Sequence, residues 1–526
     1  MKKIIKYAIV LIFVTIISGG CKKSLELQNP TGYTFATYFT NDDALNQAVI
    51  GTYSPLLHLG MWAREYYFIF DLLGWDAKPD APLQGDLLSI SQMTFGPDEY
   101  YIGQQFQSLY RMIYRANVTI DRATAWEPAN DVEKAHRDQY IGEAKFLRAY
   151  AYFNLVNNWG RVPLHTSYQE TTDNQFPSRA PVADIWAFIE QDLKDAEAGL
   201  PVEYPAEWLG RATRGAAVAL LGKSYLYEKK WAEAQAELTK LTVAPFTYTL
   251  ADNYNDLFSQ TNQTNPETIF QVMNKKWEEG DREDYFETAQ ERGAFGVGTH
   301  TARAQEYGFN DWANVFVPNS LVKTFIYPNP ATNAPGYVDP RAKFTFYGDA
   351  SSGGQTEYCQ ECAGGPIAYP FPARGYRWLK YEYYNEQPQM GGTKSGINGQ
   401  VIRYADVLLM LAEAYIQQGN TGSEPLDLIN EVRSRPSVNA VPYPSLGNQA
   451  SAFNILQRER RLELSGEQVR YFDLIRWGIA KETLNAERTS EGETHLFQDK
   501  NVLFPIPQYE KDTNPNVAND IQNDWN

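Results

Sequence analysis

A pair of short helices that must cross closely constrains the fold of this chain more than any other feature. From Thr213 to Leu241 apolar residues recur at helical spacing on both sides of Glu228-Lys229-Lys230. Leu221-Gly222, Tyr225, Ala234 and Leu238 sit at the spacing of a tetratricopeptide-like repeat, whose small residues let two antiparallel helices approach. Val218 stands where that repeat has its leading tryptophan, and Leu238 replaces the usual aromatic ring. A similar pair is predicted from Arg403, where Leu411-Ala412 and Tyr415 repeat the first-helix pattern, with a second helix from Glu424 to Arg433. Stacked units of this kind bury a shared core and make a rigid platform.

The flanking sequence agrees. Asn130, with Glu133 three residues on, reads as the cap of a long helix that stays periodic to Trp159 and stops at Gly160 and Pro163. Phe146, Tyr150 and Phe153 share one face of it. Another helix is expected from after Pro181 to Gly199, and two more from Ser451 to Leu464 and from Gln468 to Ala480. The stretch 246–399 differs, being rich in Gly, Pro, Asn and aromatics, with short strands expected at Thr268–Val272 and Arg341–Tyr347. Its density of rings argues against a disordered linker. The fold class is therefore mainly α: a helical-repeat scaffold (21–245 and 400–526) carrying an irregular, loop-rich insertion (246–399) with short strands.

Residues 1–20 have the layout of a secretory signal. Lys2, Lys3 and Lys6 precede an apolar run from Tyr7 to Ile17, then Ser18-Gly19-Gly20 and Cys21. The run is shorter than the about 20 residues that span a bilayer. Cysteine after the small residues points to a lipoprotein acylated at Cys21, palmitate included; the competing reading is cleavage after Gly20 without lipid. The chain carries a net charge of -17, and losing the three leader lysines leaves 44 basic against 64 acidic side chains. Such a field repels phosphate backbones, which excludes nucleic acid as a partner.

Nothing in the sequence assembles a catalytic centre, and no cofactor or metal is expected. The five histidines are scattered, with no HExxH helix and no GxSxG elbow. Cys359 and Cys362 form a lone CxxC in a glycine-rich loop without nearby histidine, to be read as a local disulfide or two idle thiols rather than a zinc or redox site. A hidden pair of glycosidase carboxylates among 64 acidic residues is the enzymatic alternative. A scaffold that binds only other proteins is the third reading.

Four segments fall in one order. They are Phe146-Leu147-Arg148-Ala149-Tyr150 running on to Asn157-Asn158-Trp159-Gly160-Arg161-Val162-Pro163-Leu164; Arg403-Tyr404-Ala405-Asp406-Val407-Leu408-Leu409; Glu459-Arg460-Arg461-Leu462-Glu463-Leu464 through Gly466 to Arg470-Tyr471-Phe472-Asp473-Leu474-Ile475-Arg476-Trp477-Gly478; and Phe504-Pro505-Ile506-Pro507 with Asn514-Pro515-Asn516. With Asp339-Pro340-Arg341 between them, they resemble the SusD/RagB family of Bacteroidetes outer-membrane lipoproteins over nearly the whole mature chain. The charged residues of these motifs read as interhelical ion pairs rather than as catalysts.

The resemblance implies a cell-surface nutrient-binding lipoprotein that is not an enzyme. It would act as lid and delivery partner of a SusC-like TonB-dependent transporter, with an oligosaccharide, or alternatively a peptide, as ligand. Sugars need flat aromatic platforms with polar groups at the rim. Two stretches offer them: Gly74-Trp75-Asp76-Ala77-Lys78 with Trp62 upstream, and Tyr307-Gly308-Phe309-Asn310-Asp311-Trp312. Trp75, Trp312, Asn310, Tyr307 and Trp62 are the candidate ligand residues. The competing reading buries each ring under a loop.

Overall fold

Asn130 opens the longest helix as its spacing predicts: its side chain accepts a hydrogen bond from the Glu133 backbone at 3.0 Å, and the Glu133 carboxylate accepts one from Ala129 at 2.8 Å. The computed structural model describes residues 38–80, 85–168, 175–260, 262, 264–275, 300–360, 362–382, 395–520 and 525. The leader and Cys21 lie outside them. Helices α1 (Asp42–Tyr53), α2 (Glu65–Leu73), α3 (Gly85–Ser91), α4 (Tyr100–Ala125), α5 (Asp131–Trp159), α6 (Val182–Gly199), α7 (Arg214–Tyr227) and α8 (Trp231–Lys240) make the N-terminal part. The C-terminal part has α12 (Tyr404–Gln417), α13 (Ser423–Arg433), α14 (Gln449–Leu464), α15 (Arg470–Trp477), α16 (Ala480–Ser490) and α17 (Gln508–Thr513). Short helices α9 (Arg303–Tyr307), α10 (Asn319–Thr324) and α11 (Ala342–Thr345) lie between them. No helix among the described residues is long and apolar enough to cross a membrane.

The helices stack in sequence: α4 on α5, α5 on α6, α6 on α7, α7 on α8, then α8 on α12, which packs on α13 and α14. The α7–α8 hairpin behaves as its small residues require. A Cβ added at Gly222 would sit 2.7 Å from the Leu238 side chain, so only glycine lets the two helices meet at this distance.

Among the described residues ten strands pair as five antiparallel ribbons: β1 (Lys78–Pro79) with β3 (Val315–Phe316), β2 (Thr268–Val272) with β10 (Gly399–Arg403), β4 (Ile326–Tyr327) with β5 (Tyr337–Val338), β6 (Phe346–Tyr347) with β9 (Arg377–Trp378), and β7 (Glu357–Tyr358) with β8 (Ile367–Ala368). The expected strand at Thr268–Val272 forms, and its partner β10 leads directly into α12. The expected strand from Arg341 shrinks to Phe346–Tyr347. Arg341 turns back on Asp339 and α14, so residues 342–345 close a helical turn instead.

A second expectation also changes. The helix anticipated from Gln468 to Ala480 is shorter, Arg470–Trp477, and a separate helix begins at Ala480. Gln468 has φ 59°, so α15 begins only at Arg470, and Gly478 at φ 74° ends it before α16.

The family-motif charges form a buried network, with partners on other elements. Glu463 meets Arg403 at 2.8 Å, Arg435 at 3.0 Å and Arg341 at 3.4 Å; Glu459 meets Arg433 at 2.5 Å and Arg341 at 2.7 Å. Glu267, at the foot of β2, bridges Arg403 and Arg435 at 2.6 and 2.5 Å. Glu467 pairs with Arg403 and Lys380, and Asp339 with Arg341. Asp406 does not cap its helix: it holds Lys223 on α7 and Arg460 on α14 at 3.1 and 2.9 Å. These bonds lock the insertion to the C-terminal helical part, and that part to α7.

Candidate ligand-binding surface

Helix α9 is buried along its whole length, and this positions everything after it. Arg303 donates to Asp71 at 3.1 Å and stacks over the Tyr381 ring at 3.5 Å; Glu306 pairs with Arg64 at 2.5 Å; Tyr307 donates its hydroxyl to Asp71 at 2.8 Å. Burial pushes the Asp71 carboxyl up to about 6, against the pull of Arg303. Beside it, β1 pairs with β3 (Lys78 opposite Phe316, Pro79 opposite Val315). The two aromatic stretches chosen from the sequence are therefore neighbours.

Their rings divide between core and surface. Trp75 is 0% exposed: the chain turns sharply after α2, Trp75 at φ 55°, and the indole folds back beneath the Arg488 guanidinium, 4.3 Å from its ring. Tyr307 is also 0% exposed, packed between Tyr67 and Phe68. Trp62 stacks on Tyr66 at 4.7 Å and donates its indole N–H to the Tyr150 hydroxyl at 3.0 Å. Rings with no exposed area, or 4% in the case of Trp62, offer no face to a sugar, so these three pack in the core. Trp312, 44% exposed, and Asn310 remain at the surface.

Residues 308–316 hold Trp312 outward for identifiable reasons. The chain curls back on α9: Trp312 N–H donates to the Gln305 carbonyl at 3.2 Å and Asn314 N–H to that of Glu306 at 2.8 Å. Arg377, from β9, clamps the far side. Its guanidinium donates to the carbonyls of Ala313 and Val315, both at 3.0 Å, and to Asp80 at 2.6 Å, while lying 3.6 Å over the Phe316 ring. The Cys359–Cys362 disulfide closes the β7–β8 ribbon, whose Tyr358 ring, with Tyr369, packs on Phe309 at 5.1 and 4.9 Å. The residue before Asn310 is thus fixed from below.

Sequence reading missed Arg377, Tyr376 and Phe371. Tyr376 and Phe371 are half-buried rings 5.0 Å apart, and the Tyr376 carbonyl accepts from Val317 at 3.1 Å, next to Phe316. The run Tyr369 to Trp378 is dense in aromatics, a signal open to the same argument. The resulting surface combines an exposed indole, an amide and half-buried rings, the chemistry that recognises a sugar's apolar face and polar rim.

Ala313 adopts φ 52°, a left-handed conformation that a β-branched residue strongly resists. Ala313→Val is therefore expected to cost about 1–3 kcal/mol, and Ala313→Gly nothing or less than nothing, both read from thermal unfolding midpoints. No group of three or more His, Cys, Asp or Glu suited to a metal ion occurs among the described residues.

Comparison with known proteins decides the family. A model described as the SusD family matches residues 266–524, and one described as starch-binding, associating with the outer membrane, matches residues 84–226. The chain belongs to the SusD/RagB family. SusD-like protein P25 of Formosa agariphila is 26% identical over 97% of each chain. A crystal structure of a SusD superfamily protein from Bacteroides vulgatus superposes with a TM-score of 0.73 at 26% identity, covering 91% of this chain and 98% of that one. A laminarin-binding SusD-like protein matches with a TM-score of 0.69 at 24% identity, covering 90% and 97%. This SusD-like chain thus falls in a family of glycan-binding proteins associated with the outer membrane.

Proposed function

We propose that this SusD-like chain is a cell-surface glycan-binding lipoprotein, anchored through Cys21, that serves as lid and delivery partner of a SusC-like TonB-dependent transporter. It binds its ligand without cleaving it. The observation that carries this reading is Trp312, presented with Asn310 on a loop clamped by Arg377 and rooted in the buried α9. A rigid platform keeps its ring in place before the ligand arrives, so little ordering entropy opposes binding. Neutral polysaccharide fits the net charge of -17 better than a strongly anionic chain. Laminarin, bound by a structural relative, and starch, named for the matched family model, are the first ligands to try.

Titration calorimetry with laminarin and starch oligosaccharides on the purified mature chain tests the reading. Trp312→Ala is expected to weaken binding at least tenfold, about 1.4 kcal/mol or more, with the unfolding midpoint unchanged. Chromatography should return the oligosaccharides at their original length. Shortened products would make the protein an enzyme, and affinity for peptides alone would move it to the peptide-uptake reading. Co-purification of a TonB-dependent barrel with the native lipoprotein checks the partnership.

A further inference from the structure

A cavity lies in the crevice that α14 forms with α15 and α16. Its volume is about 260 Å³. That falls below the roughly 300 Å³ at which pockets for drug-sized ligands begin, so an oligosaccharide does not fit and a small molecule with a few waters does. Four guanidinium groups line it, those of Arg458, Arg460, Arg461 and Arg470, against the carboxylates of Asp76, Asp473 and Glu487. In an acidic protein this lining keeps one positive charge in excess.

The pairings show where that charge resides. Arg460 is satisfied by Asp406 and Asp473 at 2.9 and 2.7 Å. Arg461 and Arg470 share Glu487 at 2.6 and 2.8 Å, and each stands 3.9 Å from Asp76. Arg458 has no carboxylate partner among the described residues; its guanidinium lies 4.7 Å over the Tyr327 ring, and its buried Nε makes no hydrogen bond. The Nε of Arg461 is likewise buried without a bond, as is the Oγ of Ser465, a residue 1% exposed on the cavity wall. Four buried polar atoms on the lining lack a hydrogen-bond partner: these three donors and Asp76 Oδ1, which stands 3.9 Å from the Nε atoms of Arg461 and Arg470; the donors outnumber the acceptor, and an unmade buried hydrogen bond is costly. Burial, and then the adjacent Arg470, push the Arg461 guanidinium down from its usual range, against the pull of Glu487 and Asp76.

The geometry points to a binding site for a small oxyanion, held by Arg458 and Arg461 with Ser465 as a hydroxyl donor. Guanidinium groups suit the planar, two-pronged recognition of carboxylate, sulfate and phosphate oxygens. The same chemistry arises from a free inorganic ion or from a monosaccharide acid, and the measurement separates the two.

Inorganic phosphate, inorganic sulfate and glucuronate are each titrated into the purified mature chain at constant ionic strength in chloride, with heat and unfolding midpoint as readouts. At least one is expected to bind saturably and raise the midpoint. Phosphate or sulfate binding assigns the site to a free ion, and tighter glucuronate binding to a sugar acid. Arg458→Met, which keeps an apolar chain over Tyr327, is expected to weaken binding at least tenfold. Ser465→Ala should weaken it several-fold without loss of fold, while Lys134→Gln, on the exposed face of α5, should leave it unchanged. Absence of saturable binding by all three anions, or an Arg458→Met protein that binds as the wild type does, overturns the assignment. Trp312→Ala should leave this binding intact, so it stands or falls separately from glycan recognition.

Discussion

Replacing Glu463 with alanine is expected to destabilise the protein by about 3–5 kcal/mol, read as a fall in the urea unfolding midpoint. That is a large share of the 5–15 kcal/mol typical of a folded domain. Glu463 ends α14 with a carboxylate facing Arg403, Arg435 and Arg341, all within 3.4 Å and all shut off from solvent. The network around it balances the carboxylates of Glu267, Asp339, Glu459, Glu463 and Glu467 against Arg341, Lys380, Arg403, Arg433 and Arg435. Removing one carboxylate strands a positive charge where water cannot screen it. A loss below about 1 kcal/mol would mean that the network behaves as surface pairs do.

The same residue sets a pH dependence. Burial pushes the Glu463 carboxyl up, but Arg403, Arg435 and Arg341 outweigh it and hold the group at about 2. An unfolded glutamate titrates near about 4.3. The folded-state value is depressed, so the stabilisation is fully present above the unfolded value and is lost as pH falls through the folded one. Asp339 and Asp406, held well below the usual carboxylate range despite burial, by Arg341 and by Lys223 with Arg460 respectively, add to the slope. Wild-type stability should therefore decline between about pH 4.3 and 2, and Glu463→Gln should flatten part of that decline.

Trp75→Ala is the second large effect, expected to cost about 3–5 kcal/mol while leaving glycan affinity per folded molecule unchanged. Its indole has no exposed area and supports the Arg488 guanidinium, so truncation opens a cavity and removes a cation–π contact together. The indole N–H has no hydrogen-bond partner among the described residues, so Trp75→Phe should lose much less. Trp312→Ala should show the opposite pattern, with affinity lost and stability kept. Glycan binding that fell with Trp75→Phe at unchanged stability would return Trp75 to the ligand surface.

Much of the scaffold was legible in the residues. Asn130 with Glu133, Gly160, and the small residues of the α7–α8 hairpin state their roles locally, because caps, stops and close helix crossings depend on neighbours within a few positions. The break at Gly478 was harder to read, since a glycine inside an apolar pattern is tolerated in many helices and the left-handed turn that ends α15 is a choice made by packing. The charged motifs announced ion pairs but not their partners. Glu463 finds Arg403, 60 residues away, and Glu267 reaches Arg435, 168 residues away, only when the strands β2 and β10 meet.

What the residues settled alone is therefore the kind of scaffold, a loop-dense middle rich in aromatics, and a resemblance carried by ordered motifs; that the two aromatic stretches are neighbours came from the β1–β3 pairing. Only the tertiary structure decided which rings face outward. Trp62, Trp75 and Tyr307 went to the core while Trp312 and Asn310 stayed at the surface. An indole has the same composition in either place, and its fate turns on whether a neighbouring element covers it: Arg488 from α16 closes over Trp75, whereas Arg377 grips the backbone beneath Trp312 and leaves its ring in view.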